Sequence, residues 1–249
     1  MTIQIVVGIN GMNAFDSSIL HFLNRFAQSS WLFDKSVAFV SNNLLRGAVI
    51  TASFWWIWFR SGETQSRDRE FVLSGFVASF VALPIARVLA LMLPFRQRPL
   101  LDPALGFRLP FGSDESPIVH WSSFPSDHAV LYFSLATCLY FVSRRIGLLA
   151  YFYALFVVCM PRIYMGVHYP TDILAGGLLG IGIGGLSCMK GLRESISRPL
   201  FRWLEKDPAS FYLCFYLCSF LFATQFDPVR TAVGFAWNGI VGGGRNLPW

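Results

Sequence analysis

Apolar residues occur along the chain in six stretches that are separated by shorter polar connections. A helix needs roughly 20 residues to cross a bilayer, and several stretches are shorter, so we expect them to extend into their flanks. The pattern predicts an all-α integral membrane bundle with about six transmembrane helices. The predicted spans are residues 44–59, 71–93, 129–142, 146–160, 173–189 and 211–226.

Residues 15–41 have a different pattern, in which apolar positions alternate with charged ones such as Asp16, Asp34 and Lys35. This predicts one or two amphipathic helices that lie in the membrane interface and are too polar to span it. We therefore divide the chain into an N-terminal interfacial segment (1–43), a transmembrane domain (44–226) and a C-terminal tail (227–249).

Two predicted spans have distinctive compositions. The first ends in Trp55, Trp56 and Trp58, as an aromatic belt at the membrane surface would. The fifth is rich in small residues that permit close helix approach. These are Gly176, Gly177, Gly180, Gly182, Gly184 and Gly185.

Basic residues are concentrated in three of the five connections between the predicted spans. Alternate connections share a side of the membrane, and the positive-inside rule assigns these three to the cytoplasm. The other two, residues 94–128 and 161–172, then lie together on the outer face, where we expect one composite site. The basic residues are Arg60, Arg67 and Arg69, then Arg144 and Arg145, then Lys190, Arg193, Arg198, Arg202 and Lys206.

The composition agrees with a membrane protein. Hydrophobic residues make up 54% of the chain and charged residues 14%, against about 25% charged in soluble domains. The net charge of +6 comes from basic residues that are spread over the connections. The sequence contains no clustered basic helix with interleaved aromatic residues, which argues against nucleic-acid binding. The five cysteines include no Cys-x2-Cys pair, which argues against a zinc site or a disulfide framework.

Three polar clusters border the predicted spans on the outer face. One follows the second span, one precedes the third, and one precedes the fifth. They read Pro94-Phe95-Arg96-Gln97-Arg98-Pro99, Trp121-Ser122-Ser123-Phe124-Pro125-Ser126-Asp127-His128, and Pro161-Arg162-Ile163-Tyr164-Met165-Gly166-Val167-His168-Tyr169-Pro170-Thr171-Asp172.

The residue types in these clusters suit phosphoryl transfer. Asp172 follows His168 by four residues, and a carboxylate on one imidazole nitrogen leaves the other free to attack phosphorus. Arg98 and Arg162 offer planar forks for phosphate oxygens. Ser126 adds a hydroxyl, and the amides of the next two residues, at a helix start, would point toward an anion.

Together the clusters resemble the three signature motifs of the type 2 phosphatidic acid phosphatase (PAP2) superfamily, over about residues 87–185. Arg98-Pro99 fits the end of its first motif, Pro125-Ser126-Asp127-His128 resembles its Pro-Ser-Gly-His motif, and Arg162 to Asp172 fits the third. The resemblance implies the catalytic residues His168, His128 and Asp172. It implies phosphate binding by Arg98, Arg162, Ser126 and Asp127.

The sequence departs from the family pattern at three places. Leu91 stands where the first motif has lysine, so Arg96 or Arg87 would supply that cation, and we favour Arg96. Asp127 replaces glycine, as in the bacitracin-resistance subgroup that hydrolyses undecaprenyl diphosphate. Pro161 replaces the serine that opens the third motif.

What the resemblance implies is a bacterial inner-membrane enzyme with its site on the periplasmic face, converting undecaprenyl diphosphate to undecaprenyl phosphate. His168 would form a phosphohistidine, and His128 would act as general acid and then activate water, with no metal and no cofactor. The expected partners are the lipid phosphate or diphosphate and membrane lipids, and no nucleic acid.

Several alternatives stay open at this point. Phosphatidylglycerophosphate, phosphatidic acid or lipid A is a possible substrate, and a lipid phosphotransferase would use the same intermediate. A non-enzyme, such as a scramblase or a scaffold with an inactive site, has only the absent lysine at Leu91 in its favour. His120 is either a loop residue or a substrate contact. A vanadate-dependent haloperoxidase is disfavoured by the predicted spans.

Overall fold

The computed structural model describes residues 13–112, 121–224 and 226, and its regular structure in those ranges is entirely helical. This confirms the all-α class. The predicted tail (227–249) and residues 1–12 lie outside the described residues. The helices are α1 (Ala14–Asn24), α2 (Trp31–Val40), α3 (Asn43–Phe59), α4 (Gln65–Met92), α5 (Asp127–Val142), α6 (Arg144–Phe152), α7 (Met160–Tyr164), α8 (Pro170–Cys188), α9 (Lys190–Lys206) and α10 (Pro208–Ala223).

Three helical rods in the described ranges are long and apolar enough to cross a membrane. They are α4 with 28 residues, α8 with 19, and the 21-residue rod Arg144–Tyr164, in which a π-helical segment joins α6 to α7. Helices α5 and α10 are apolar but have 16 residues each. Sixteen residues rise about 24 Å, which is short of a hydrocarbon core of roughly 30 Å. The chain is a membrane protein, and the count of six spans stays a prediction.

Helix α5 lies at the centre of the bundle, between α4 and α8. Its apolar residues point in all directions, as expected for a helix that other helices surround. Almost every residue over its first three turns is buried, and so are both polar residues that begin it. Because α5 starts at the polar cluster 121–128, the most rigid part of the fold fixes the position of that cluster.

Helix α8 packs against α5 through glycines one turn apart, at positions 176, 180 and 184. A Cβ atom built on Gly180 would lie 2.3 Å from the carbonyl oxygen of Val130, and one on Gly184 would lie 2.7 Å from that of Ser134. The two backbones therefore approach as small-residue helix interfaces in membranes do. This confirms the close approach predicted from the glycine content of the fifth span.

The prediction that Trp58 belongs to an aromatic belt at the membrane surface is wrong. Its side chain is fully buried and stacks on Phe211 of α10, with 5.6 Å between ring centroids. The Trp55 indole donates to the Ser219 hydroxyl at 2.9 Å, whereas Trp56 is exposed. Packing against α10 gives the two inner indoles both apolar contacts and hydroxyl acceptors, so they join the core.

The basic connection between the fifth and sixth predicted spans is also not a loop. Residues Lys190–Lys206 form α9, whose apolar side, including Leu200 and Trp203, packs against the core. Arg193 pairs with Glu70 of α4 at 2.9 Å. A mean hydropathy over this segment hides its helical period, because apolar and charged residues alternate around one helix.

The α5–α8 contact gives a test of the packing. Replacing Gly180 by Ala is expected to destabilise the protein by about 1–3 kcal/mol, because overpacking forces the two backbones apart. Thermal unfolding in detergent micelles measures the change. Gly182→Ala is the matched control, since nothing lies within 4 Å of a Cβ built there. Equal losses in the two variants would contradict this account of the interface.

Candidate active site

The two loops that were predicted to share one face meet at one end of the bundle. The guanidinium of Arg98 donates from Nη1 to the carbonyl of Val167 at 2.9 Å and from Nε to the carbonyl of Trp121 at 3.2 Å. The amide of Ser126 donates to the carbonyl of Asp172 at 3.2 Å. The three polar clusters therefore form one site, at the end of α4 and the starts of α5 and α8.

The turn that holds His168 is closed by its own backbone. The carbonyl of Arg162 accepts from the amides of Val167 at 2.9 Å and His168 at 3.3 Å. Gly166 has a φ of +69°, and a Cβ atom there would lie 2.6 Å from the ring of Phe107. A glycine at this position lets the chain reverse directly after α7, which brings His168 back toward Arg162.

His168 is 2% exposed, and its two ring nitrogens have different surroundings. Nδ1 lies 2.8 Å from the carbonyl oxygen of Ser123 and 3.6 Å from Oδ2 of Asp172. A carbonyl can only accept, so Nδ1 carries the proton and Nε2 keeps its lone pair. Among the described residues Nε2 has no hydrogen-bond partner. The predicted pairing with Asp172 is present, but Ser123 provides the shorter contact.

Burial lowers the pKa of His168 to about 4. The positive charges of Arg162 and Arg98 act in the same direction, while the carboxylate of Asp172 opposes them. The imidazole is therefore neutral at neutral pH, because the pH lies far above the pKa. A neutral ring with a bare Nε2 is the protonation state that a histidine nucleophile requires.

Asp172 is fully buried and is held by contacts on both carboxylate oxygens. Oδ2 accepts from the backbone amide of Tyr169 at 2.8 Å, which caps the first turn of α8. Oδ1 accepts from Nη1 of Arg96. The side chain therefore has one fixed orientation beside His168.

The second histidine has its own carboxylate. Nδ1 of His128 lies 3.1 Å from Oδ1 of Asp127, the same oxygen that accepts from the His128 backbone amide at 3.0 Å. The other Asp127 oxygen pairs with Arg87 of α4, whose guanidinium lies 4.0 Å over the ring of Trp121. The aspartate that replaces glycine in the second motif thus orients His128. Its predicted contact with the substrate phosphate stays a prediction.

Two arginines provide positive charge beside His168, of which Arg98 is buried and Arg162 is half-buried. Arg98 is 5% exposed and uses three of its five N–H groups on backbone carbonyls, which leaves donors for a phosphate. The Nε atom of Arg162 is buried and has no hydrogen-bond partner among the described residues. Buried donors normally have a partner, so this end of the bundle is suited to an anion.

Arg96, the favoured substitute for the missing lysine, is placed against carboxylates. Nη1 donates to the Thr171 hydroxyl at 2.8 Å and to Asp172, and Nη2 donates to Asp16 of α1 at 2.7 Å. These contacts are those of a residue that positions Asp172. Arg96 as a phosphate ligand stays a prediction, and so does Arg87, which pairs with Asp127.

Ser126 begins α5 and is fully buried. Its hydroxyl accepts from the amide of Ala129 at 3.4 Å, which is a long N-cap contact. The amide of His128, which was expected to point toward an anion, donates to Asp127 instead. Phosphate binding by Ser126 stays a prediction, and His120 lies outside the described residues.

Two residues of the site were missed in the sequence. Arg46 of α3 is 1% exposed and interacts electrostatically with His128, Arg162 and Asp127. Asp16 of α1 is fully buried and bonds to Arg96 and Thr171. Each is a charged residue in an apolar or amphipathic segment, which is the signal that could have identified them.

The position of the absent lysine is not part of the site. Leu91 is 76% exposed on α4, so its side chain faces the surroundings of the bundle. The exposed neighbours Met92 and Phe95 extend the same apolar surface. The structure therefore places residue 91 outside the site, and the group that takes the place of the family lysine stays a prediction.

Comparisons with known proteins match the part of the chain that contains this site. A model of the PAP2 superfamily matches residues 71–191. The bacitracin transport permease protein BcrC of Bacillus licheniformis is 45% identical over 60 residues, which cover 24% of this chain and only 29% of that protein. Longer alignments are found with two other bacterial proteins.

The putative undecaprenyl-diphosphatase YbjG of Escherichia coli (strain K12) is 26% identical over 203 residues, which cover 80% of this chain and 92% of that protein. The undecaprenyl-diphosphatase BcrC of Bacillus subtilis (strain 168) is 26% identical over 189 residues, with coverages of 75% and 82%. Residues 71–191, just under half of the chain, thus match the PAP2 superfamily, and the similarity to two proteins named undecaprenyl-diphosphatase supports a membrane phosphatase of the phosphoric-ester hydrolase class.

Proposed function

We propose that the protein hydrolyses undecaprenyl diphosphate to undecaprenyl phosphate through a phosphohistidine on His168, at the outer face of the bacterial inner membrane. One observation carries the proposal. His168 is buried with Nδ1 committed to the Ser123 carbonyl, and its Nε2 has no partner among the described residues. The positive charges of Arg98 and Arg162 act on the same ring. This arrangement is a nucleophile next to an anion site.

In the first step Nε2 of His168 attacks the terminal phosphorus. A phosphorus–nitrogen bond forms while the bond from phosphorus to the leaving oxygen breaks. Arg98 and Arg162 hold the non-bridging oxygens, where the charge of the transition state is spread. His128 enters this step as the imidazolium, with its Nδ1–H on Asp127, and gives the proton on Nε2 to the leaving oxygen of the lipid phosphate.

As the new bond forms, the imidazole of His168 becomes cationic. Asp172 at 3.6 Å and the Ser123 carbonyl at 2.8 Å stabilise that charge. In the second step His128 takes a proton from water, the oxygen attacks phosphorus, and the phosphorus–nitrogen bond breaks. Inorganic phosphate leaves and His168 returns to its neutral state.

The substrate assignment rests on similarity and on the surface beside the site. Two relatives bear the name undecaprenyl-diphosphatase, at 26% identity. A cleft of about 160 Å³ lined by Leu93, Pro94, Arg96 and Phe124 lies next to the charged cluster. An isoprenyl chain would lie along the exposed apolar end of α4 with its diphosphate toward His168. The location of the enzyme in the cytoplasmic membrane, with its site on the outer face, is part of the same proposal.

Loss of the nucleophile is the first test. His168→Asn is expected to lower phosphate release from undecaprenyl diphosphate by at least about 1000-fold, because no other group replaces Nε2. His21→Asn is the matched control, since it makes the same change at an exposed residue of α1. Purified protein is assayed against undecaprenyl diphosphate, phosphatidylglycerophosphate and phosphatidic acid. A His168→Asn variant that keeps activity would refute the assignment, and preference for a glycerophospholipid would refute the substrate.

Covalent catalysis gives a second prediction. When p-nitrophenyl phosphate is the substrate, its leaving group departs without a general acid, so the His128→Ala variant still forms the phosphoenzyme. The variant hydrolyses this intermediate slowly, because His128 no longer takes a proton from water. An acid-labile, alkali-stable phosphoryl group should therefore accumulate on His128→Ala at up to one equivalent per protein. It should be absent from His128→Ala/His168→Asn. Equal labelling of the two variants would place the phosphoryl group on another residue.

The charge state of His168 is the third prediction. Its ring should titrate with a midpoint near pH 4, because burial disfavours the imidazolium. The neutral nucleophile therefore persists as the pH falls and is lost only as the pH passes through that value. NMR of protein labelled at histidine Cε1 measures the midpoint, with His168→Asn to assign the resonance. A midpoint at the ordinary value of about 6.5 would contradict the environment described for this ring.

A further inference from the structure

A buried carboxylate outside the matched domain is joined to the catalytic residues. Asp16 lies on α1, and its side chain is fully buried. Oδ1 accepts from the backbone amide of Thr171 at 2.8 Å. Oδ2 accepts from the Thr171 hydroxyl at 2.7 Å and from Nη2 of Arg96 at 2.7 Å. The N-terminal helix thus reaches the first turn of α8, one residue before Asp172.

These contacts continue to His168 without a gap. Arg96 bridges the two carboxylates, with Nη2 on Asp16 and Nη1 on Asp172. Asp172 then lies 3.6 Å from Nδ1 of His168. The guanidinium also lies 4.0 Å over the ring of Tyr169, which fixes its plane. The order Asp16, Arg96, Asp172, His168 is therefore a chain of opposite charges that ends at the proposed nucleophile.

The charges explain why Arg96 needs two partners. Paired with Asp172 alone, Arg96 would cancel the charge that stabilises the cationic imidazole of the intermediate. Asp16 supplies a second negative charge, so the three side chains together keep a net charge of −1 beside His168. Buried ion pairs are retained only where geometry compensates for lost hydration, and here every Asp16 oxygen is hydrogen-bonded.

We propose that Asp16 is a positioning residue of the catalytic site, which acts on His168 through Arg96 and Asp172. The proposal rests on the proposed function of His168 as nucleophile. Asp16 holds the start of α8 in place through Thr171 and, through Arg96, keeps Asp172 oriented. Helix α1 of the N-terminal segment therefore supports the catalytic residues.

The chain offers a matched control in Asp34 of α2. Asp34 is also fully buried, and it accepts from the amides of Gln28 and Phe111, both at 2.9 Å, and from the hydroxyl of Tyr164. It fastens the second N-terminal helix to the bundle with the same chemistry. Among the described residues, these partners of Asp34 include none of the charged groups that lead to His168. Asp34→Asn therefore measures the cost of loosening the N-terminal segment alone.

A double-mutant cycle on lipid diphosphate hydrolysis tests the proposal. Asp16→Asn is expected to lower kcat about 10-fold while KM changes by less than about 3-fold, as for a residue that acts on the transition state. In an Arg96→Gln background the same change should lower kcat by less than about 2-fold, because the connection is already broken. Asp34→Asn should lower thermal stability with kcat within about 2-fold of the wild type.

Asp16→Glu keeps the charge and is expected to lower kcat by less than Asp16→Asn does. It also provides the test if Asp16→Asn does not fold, because the longer side chain should lower kcat in the wild-type background and not with Arg96→Gln. Equal fold-losses with and without Arg96 would overturn the proposal, as would an unchanged kcat in Asp16→Asn.

NMR separates failure of this inference from failure of the proposed function. The ¹⁵N resonance of His168 Nδ1 at neutral pH should shift in Asp16→Asn and stay in place in Asp34→Asn. If the wild type hydrolyses none of the lipids, the proposed function fails while this shift still reports the connection. If hydrolysis is present and the resonance does not move, the positioning role of Asp16 is overturned.

Discussion

The hydrogen bonds of one buried guanidinium hold the site together. Arg98 donates to the carbonyls of Trp121, Ser122 and Val167, which belong to two loops separated by more than 40 residues. Because the cation is desolvated, loss of these acceptors would leave a buried charge without compensation. The carbonyl that orients His168 is that of Ser123, the next residue after the loop segment that Arg98 holds. The nucleophile is therefore only as well placed as this arginine allows.

The two histidines have carboxylates beside their rings, which the fold places there in different ways. His168 has a carbonyl as its close acceptor and a carboxylate four residues ahead at 3.6 Å. His128 takes its carboxylate from the preceding residue, and Arg87 holds that carboxylate from α4. The second pair needs no folded turn to bring acid and imidazole together, only the N-terminus of a buried helix. Each histidine has a carboxylate with an arginine behind it, so the site contains two layers of charge around each ring.

The all-α class and the meeting of the polar clusters around His128, His168 and Asp172 could be predicted from the sequence, since these depend on local period and short spacings. His128, His168 and Asp172 lie within motifs of a few residues. The partners of Arg96 could not be predicted, because Asp16 is 80 residues away and only packing brings the two together. Trp58 was misjudged for a related reason, since its burial depends on α10 and not on its own neighbours. The helix at residues 190–206 was not predicted, because hydropathy averaged over a window does not show the amphipathic pattern.

The contact between Asp16 and Thr171 has a consequence for how the protein is made. The two residues are 155 positions apart, so the first charged residue of the site leaves the ribosome long before its partner on α8. Until Thr171 and Arg96 have both been synthesised and inserted, α1 exposes a carboxylate with nowhere to be buried. The N-terminal helix therefore cannot form its contacts with α8 until the glycine-rich helix has been synthesised. A chain that ends before α8 lacks the partners that complete the site.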